Sequence, residues 1–88
     1  MSIIEAGQVP PTLTAFDSVV AGPKVVITFD AEGQTPITYE VKWGDGKELI
    51  GIVSPRGHDY VSPGTYDVTL KAVNAFGFDE QTISVTIV

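Results

Sequence analysis

Apolar and polar residues alternate along most of the chain. The clearest run is residues 62–74, where a Ser62-Pro63-Gly64 turn leads into Tyr66, Val68, Leu70 and Ala72 on one face and Asp67, Thr69 and Lys71 on the other. A period of two over this length predicts a half-buried strand with one wet face. Residues 13–20 read as an earlier strand, ended by Ala21-Gly22-Pro23. Val25, Ile27 and Phe29 alternate with Val26, Thr28 and Asp30, which predicts the next. Ile37, Tyr39, Val41 and Trp43 alternate with Thr38, Glu40 and Lys42, and Gly44-Asp45-Gly46 ends that strand in a tight turn. Residues 48–53 are too apolar for a loop, and residues 58–61 form a brief strand before the Pro63-Gly64 turn. Asn74-Ala75-Phe76-Gly77 is a hairpin connection, and residues 81–88 close the chain with Ile83, Val85 and Ile87 facing one way. No stretch carries helical i, i+3, i+4 apolar spacing over ten residues. Seven short strands with turn residues between them predict an all-β sandwich or barrel without a helix.

Residues 1–11 break the pattern. Ile3 and Ile4 are apolar, but Gly7 and the Pro10-Pro11 pair interrupt any regular element. We read this stretch as an extended, polyproline-like arm ahead of a domain spanning residues 12–88.

Length and composition narrow the picture further. Eighty-eight residues make one domain with a single thin core. There is no cysteine, so packing and strand pairing alone must hold that core. The net charge of −6, with five scattered basic residues, opposes binding to nucleic acid or to an anionic membrane surface. No apolar run reaches membrane-spanning length, and the first residues lack the basic and apolar regions of a secretory leader. The expectation is a protein made and used without export, the other reading being one part of a larger extracellular chain.

Three segments then line up: Trp43-Gly44-Asp45-Gly46, His58-Asp59-Tyr60, and residues 63–77, P-G-T-Y-D-V-T-L-K-A-V-N-A-F-G. Together they resemble the polycystic kidney disease (PKD) domain, an Ig-like β-sandwich, over most of the chain from about Pro11 onward. That family carries an aromatic-G-D-G turn, then H-x-Y, then P-G-x-Y-x-V-x-L-x-V-x-N-x-x-G. The chain departs from it in two places. Val41 stands where the family has Trp, with Trp43 replacing its Phe, and Ala72 stands for the usual Val. The resemblance implies structural roles for Trp43, Gly44, Asp45, Gly46, His58, Tyr60, Pro63, Gly64, Tyr66 and Asn74. Tyr66 would lock its turn through a hydroxyl-to-backbone bond, as in a tyrosine corner. Trp43, Tyr39 and Val41 would face the sheet that holds Ile27 and Phe29.

Catalysis finds little support. Ser54, His58 and Asp59 come nearest to a nucleophile–base–carboxylate set, but no nucleophile elbow surrounds Ser54 and His58 falls inside the structural H-x-Y. No enzymatic activity is expected. No cofactor is expected either. Calcium stays open only if Asp30, Glu32 and Asp45 gather at one end of the sandwich, because the spaced D-x-[DN]-x-[DN]-G ligands are missing.

Two features call for a partner. Phe76 and Phe78 flank Gly77 at a hairpin tip, either capping the open end of the core or standing exposed as anchors. Ile3 and Ile4 on a stiff arm would reach a neighbour, unless the arm is a frayed terminus. Exposed sheet edges offer a second docking mode, by strand addition. The expected function is non-catalytic protein–protein attachment, as a small structural or decoration protein on a phage capsid or tail, hence on a virion surface. The alternative is a substrate-binding or spacer module of a secreted multidomain enzyme or cell-surface protein.

Overall fold

The computed structural model describes residues 9–88. Seven strands follow in chain order: β1 (Thr12–Ala21), β2 (Lys24–Glu32), β3 (Thr38–Lys42), β4 (Glu48–Ile52), β5 (Arg56–Asp59), β6 (Gly64–Asn74) and β7 (Gly77–Ile87). They form two antiparallel sheets, one in the order β1-β2-β5 and one in the order β4-β3-β6-β7. No helix occurs among the described residues. The architecture is the Ig-like sandwich that the alternation and the motifs predicted.

The period of two sets what each strand buries. Val25, Ile27 and Phe29 of β2 face Val68, Leu70 and Ala72 of β6 across the core, with Val41, Trp43, Val85 and Ile87 around them. Phe29 and Tyr39 meet across the sheets with ring centroids 4.7 Å apart. Polar positions on the outer face of β6 and β7 pair across the strands. Thr69 and Thr82 share a hydroxyl bond of 2.9 Å, Thr65 and Thr86 one of 3.3 Å, and the Ser84 hydroxyl donates to Asp67 at 2.9 Å. The Leu13 N–H donates to Asp79 Oδ2 at 2.8 Å, tying β1 of one sheet to β7 of the other.

Beyond small differences at other ends, three strands depart from expectation. β5 covers Arg56–Asp59 rather than residues 58–61; Tyr60 turns into the core just beyond it and Val61 is exposed. β7 begins at Gly77 rather than Gln81, because backbone pairing with β6 continues to the hairpin at Asn74↔Gly77. Ile37 and Trp43 flank β3 instead of belonging to it. Polar composition marks Asp79 and Glu80 as loop-like, yet on this edge strand Glu80 stays in solvent and half-buried Asp79 finds a partner in the Leu13 N–H.

Candidate functional site

The Trp43-Gly44-Asp45-Gly46 turn builds an inter-sheet knot. Gly44 and Gly46 sit at φ of 85° and 89°, which an L-residue adopts only at a cost. That turn lets Asp45 Oδ1 accept the Lys47 N–H at 3.1 Å while Oδ2 meets His58 Nε2 at 2.7 Å. The His58 ring stacks on Trp43, centroids 4.6 Å apart, and meets Tyr60 edge-on at 4.8 Å. The Tyr60 hydroxyl donates to the Trp43 carbonyl at 2.6 Å. Tyr60 stacks in turn on Tyr66 at 4.2 Å, and the Tyr66 hydroxyl donates to the Ser62 carbonyl at 2.6 Å, the turn lock expected of it. One continuous chain of contacts therefore joins both sheets at this end of the domain. Burial, followed by the charges of Asp45 and Tyr66, pushes the Tyr60 hydroxyl up to about 12, so it remains a donor at any physiological pH.

Asp45 gives this knot a pH dependence. Its partial burial alone would raise the carboxyl pKa. The bond from His58, the Lys47 N–H and the His58 charge together outweigh that and hold it below the ordinary 3.8. A carboxylate depressed in the folded state contributes stability above its unfolded pKa and loses it as pH falls through the folded value. Urea midpoints taken between pH 6 and pH 3 should therefore show Asp45→Asn less stable than wild type near pH 6, with the gap closing below about pH 4. A gap constant over that range would show that the Asp45 charge does not support the fold.

The other end of the sandwich is organised by Asn74. Its Nδ2 donates to the Val9 carbonyl at 2.7 Å and to the Gln34 carbonyl at 3.0 Å, while its Oδ1 accepts the Phe76 N–H at 2.8 Å. The Gln34 N–H also donates to the Val9 carbonyl at 3.0 Å. One side chain thus fixes the hairpin tip, the loop after β2 and the last residues of the arm. Pro10 lies against Gly77, where an added Cβ would come within 3.3 Å of its Cβ. Phe76 and Phe78 do not cap the core: they are 44% and 61% exposed. Phe78 stands on β7 opposite Val73, and the Lys71 ammonium lies 4.5 Å from its ring centroid. Ile3 and Ile4 lie outside the described residues.

The residues weighed for chemistry do not assemble. Ser54 Oγ accepts the Phe29 N–H at 3.0 Å, and His58 engages Asp45 rather than Asp59. Asp59 sits opposite Lys24, exposed, while His58 opposite Val25 turns inward. Asp30, Glu32 and Asp45 do not gather: among the described residues no group of three or more His, Cys, Asp or Glu is arranged to hold a metal ion. Among the described residues, no helix is long and apolar enough to cross a membrane.

Of the contacts that the sequence does not announce, three bear on the site: the Asp45–His58 pair, the brace from Asn74 to Val9, and Lys71 over Phe78. The first had a signal, since strand alternation already places His58 and Tyr60 on one face. The other two join residues from separate elements, and no local pattern marks them.

No curated protein matches the chain. Solved structures do. The PKD1 domain of Vibrio anguillarum Epp superimposes with a TM-score of 0.74 at 18% identity, covering 88% of this chain and 92% of that one. The PKD1 domain of the Vibrio cholerae metalloprotease PrtV gives 0.72 at 21% identity, covering 83% and 91%. The PKD domain of the human VPS10 domain-containing receptor SorCS2 gives 0.66 at 26% identity, covering 91% and 72%. A family model described as PKD domain matches residues 8–88, nearly the whole chain. The family's modules are non-catalytic and serve protein interaction or spacing. With the aromatic-G-D-G turn, the H-x-Y strand and the tyrosine lock all in place, this chain belongs to the PKD domain family.

Proposed function

We propose that this domain is a non-catalytic protein-attachment module that works through the hairpin tip. The observation that carries the reading is the exposure of both Phe76 and Phe78 at the hairpin that Asn74 braces to Val9, itself exposed. A monomeric domain gains little in stability from two largely wet phenylalanines beyond the Lys71 contact, and aromatics are what interface anchors are made of. The knot at the other end leaves Trp43 and Tyr60 buried, so those aromatics cannot serve as contacts.

As to setting, the comparisons favour a module working beside other domains. One of the similar structures comes from a metalloprotease and one from a receptor. The virion setting expected from the sequence gains no support from the family match or from those structures. The arm bearing Ile3 and Ile4 remains part of the proposal as a second contact.

The test is what the protein sediments with. Wild type and the Phe76→Ala/Phe78→Ala variant are spun with phage capsid and tail assemblies, with the other domains of a multidomain parent supplied in trans, and with insoluble chitin, collagen and cellulose. Binding to a protein partner, lost in the variant while its urea midpoint holds, is the expected result. Pelleting with an insoluble substrate at equal strength in both proteins would overturn attachment through the tip.

A further inference from the structure

Charge is unevenly distributed along the sandwich. Lys24, Lys42, Lys47 and Arg56 lie away from the tip: Lys24 pairs with Asp59 and Lys42 with Thr69, while Lys47 and Arg56 share a groove with Trp43 and His58. The tip end carries Asp30, Glu32, Asp79 and Glu80 instead. Strand register places these four there: Thr12 pairs with Glu32 and Ala15 with Asp30, the Leu13 N–H between them reaches Asp79, and Asp79 and Glu80 follow the hairpin within three residues. Among the described residues the tip's one ammonium, Lys71, sits over the Phe78 ring. Glu32 and Glu80 are exposed and form no salt bridge among the described residues, although Glu80 stands opposite Lys71 in the strand register.

An exposed apolar patch among mainly acidic neighbours, here four carboxylates to one ammonium, selects its partner by complementarity. From this geometry, and resting on the attachment proposed above, we infer that the tip docks onto a basic protein surface: apolar side chains seated against Phe76 and Phe78, flanked by arginine or lysine that reaches Glu32 and Glu80. The aromatic faces add to the preference, because a guanidinium stacks favourably on a ring. Lys71 already does so from within the domain, which holds the Phe78 ring in one place ahead of docking.

Two synthetic peptides test this, one repeating arginine, leucine and serine and one repeating glutamate, leucine and serine. Each is titrated into the protein while backbone amide shifts are followed by NMR. The basic peptide is expected to move resonances of residues 32–34 and 74–80. Its affinity should fall about tenfold in Phe76→Ala/Phe78→Ala. A similar loss is expected in Glu32→Lys/Glu80→Lys, and on raising salt from 50 to about 300 mM. The control Asp17→Lys/Asp59→Lys changes net charge equally but at exposed sites away from the tip, and it should retain most of the binding. Equal loss in that control would reduce the effect to non-specific attraction and overturn the inference. So would sedimentation showing a second copy of the chain already seated on the tip. Preference for the acidic peptide, still lost in Phe76→Ala/Phe78→Ala, would overturn the basic partner alone and leave attachment through the tip standing.

Discussion

Trp43→Ala is expected to lower the unfolding free energy by about 3–5 kcal/mol, which for a domain of this size removes most of its stability. Trp43 is fully buried, is among the largest side chains of the core, and carries the stacked His58 ring on one face. Truncation leaves a cavity at the point where the two sheets are joined, and the Asp45–His58 pair loses the surface it rests on. One term acts the other way. The Trp43 Nε1–H is buried and finds no hydrogen-bond partner among the described residues. Relief of that unmet donor would return about 1–3 kcal/mol. Truncation costs of this kind, measured on whole residues, already include such relief, so the cavity decides the sign. Trp43→Phe, which removes the donor and keeps most of the ring, should therefore be far milder than Trp43→Ala. Far-UV circular dichroism during urea denaturation reads both, since the fluorophore is lost. A Trp43→Ala midpoint equal to wild type would mean that this ring does not hold the sheets together.

The second large effect is expected at Gly44. A methyl group there would lie 2.5 Å from the Asp67 carbonyl oxygen and 3.0 Å from the Asp67 nitrogen. Both atoms are backbone of β6, which pairs with β7 at Asp67↔Ser84 and with β3 from Thr69 onward, so it cannot readily step aside. The φ of 85° adds its own penalty for any residue with a Cβ. Overpacking and the backbone penalty together put Gly44→Ala at about 2–5 kcal/mol. Gly46→Ala separates the two causes. Its φ of 89° is nearly the same, but nothing lies within 4 Å of its added methyl group. It should show the backbone penalty alone, about 1–2 kcal/mol. Equal losses in the two variants would rule out the clash with β6.

Trp43 and Gly44 adjoin in the turn where the chain departs from the family pattern. With Val41 where a Trp is usual, the strand entering the turn is slimmer, and Trp43 fills the end of the core from the position just before Gly44. The turn glycine that follows it lies close against the backbone of β6. His58 closes the open side by stacking, and Asp45 holds His58 in register.

Much of this was legible in advance because strand alternation is a local property. Val25, Ile27 and Phe29, or Val68, Leu70 and Ala72, declare their buried face within six residues, whatever they pack against. Turn chemistry is equally local, which is why the positive φ of Gly44 and Gly46 could be anticipated. Edge strands were less legible. Polar residues serve a strand edge as well as a loop, so the start of β7 at Gly77 was missed and β5 was displaced by two residues.

For the tip, the sequence by itself determined that Phe76 and Phe78 flank a hairpin glycine, and it left open whether they cap the core or face water. Only the tertiary structure decided for water. Strand β7 pairs with β6 up to the hairpin, which puts Phe78 on the outer face opposite Val73. The same holds for the knot at Trp43. Local pattern determined that a buried strand ends in a glycine-rich turn there. That His58, far along the chain, would close over the ring and accept Asp45 as partner was decided by the pairing of β5 with β2. Burial follows from side-chain chemistry and a short-range period, whereas partnership depends on which distant segments the closing of the two sheets brings together.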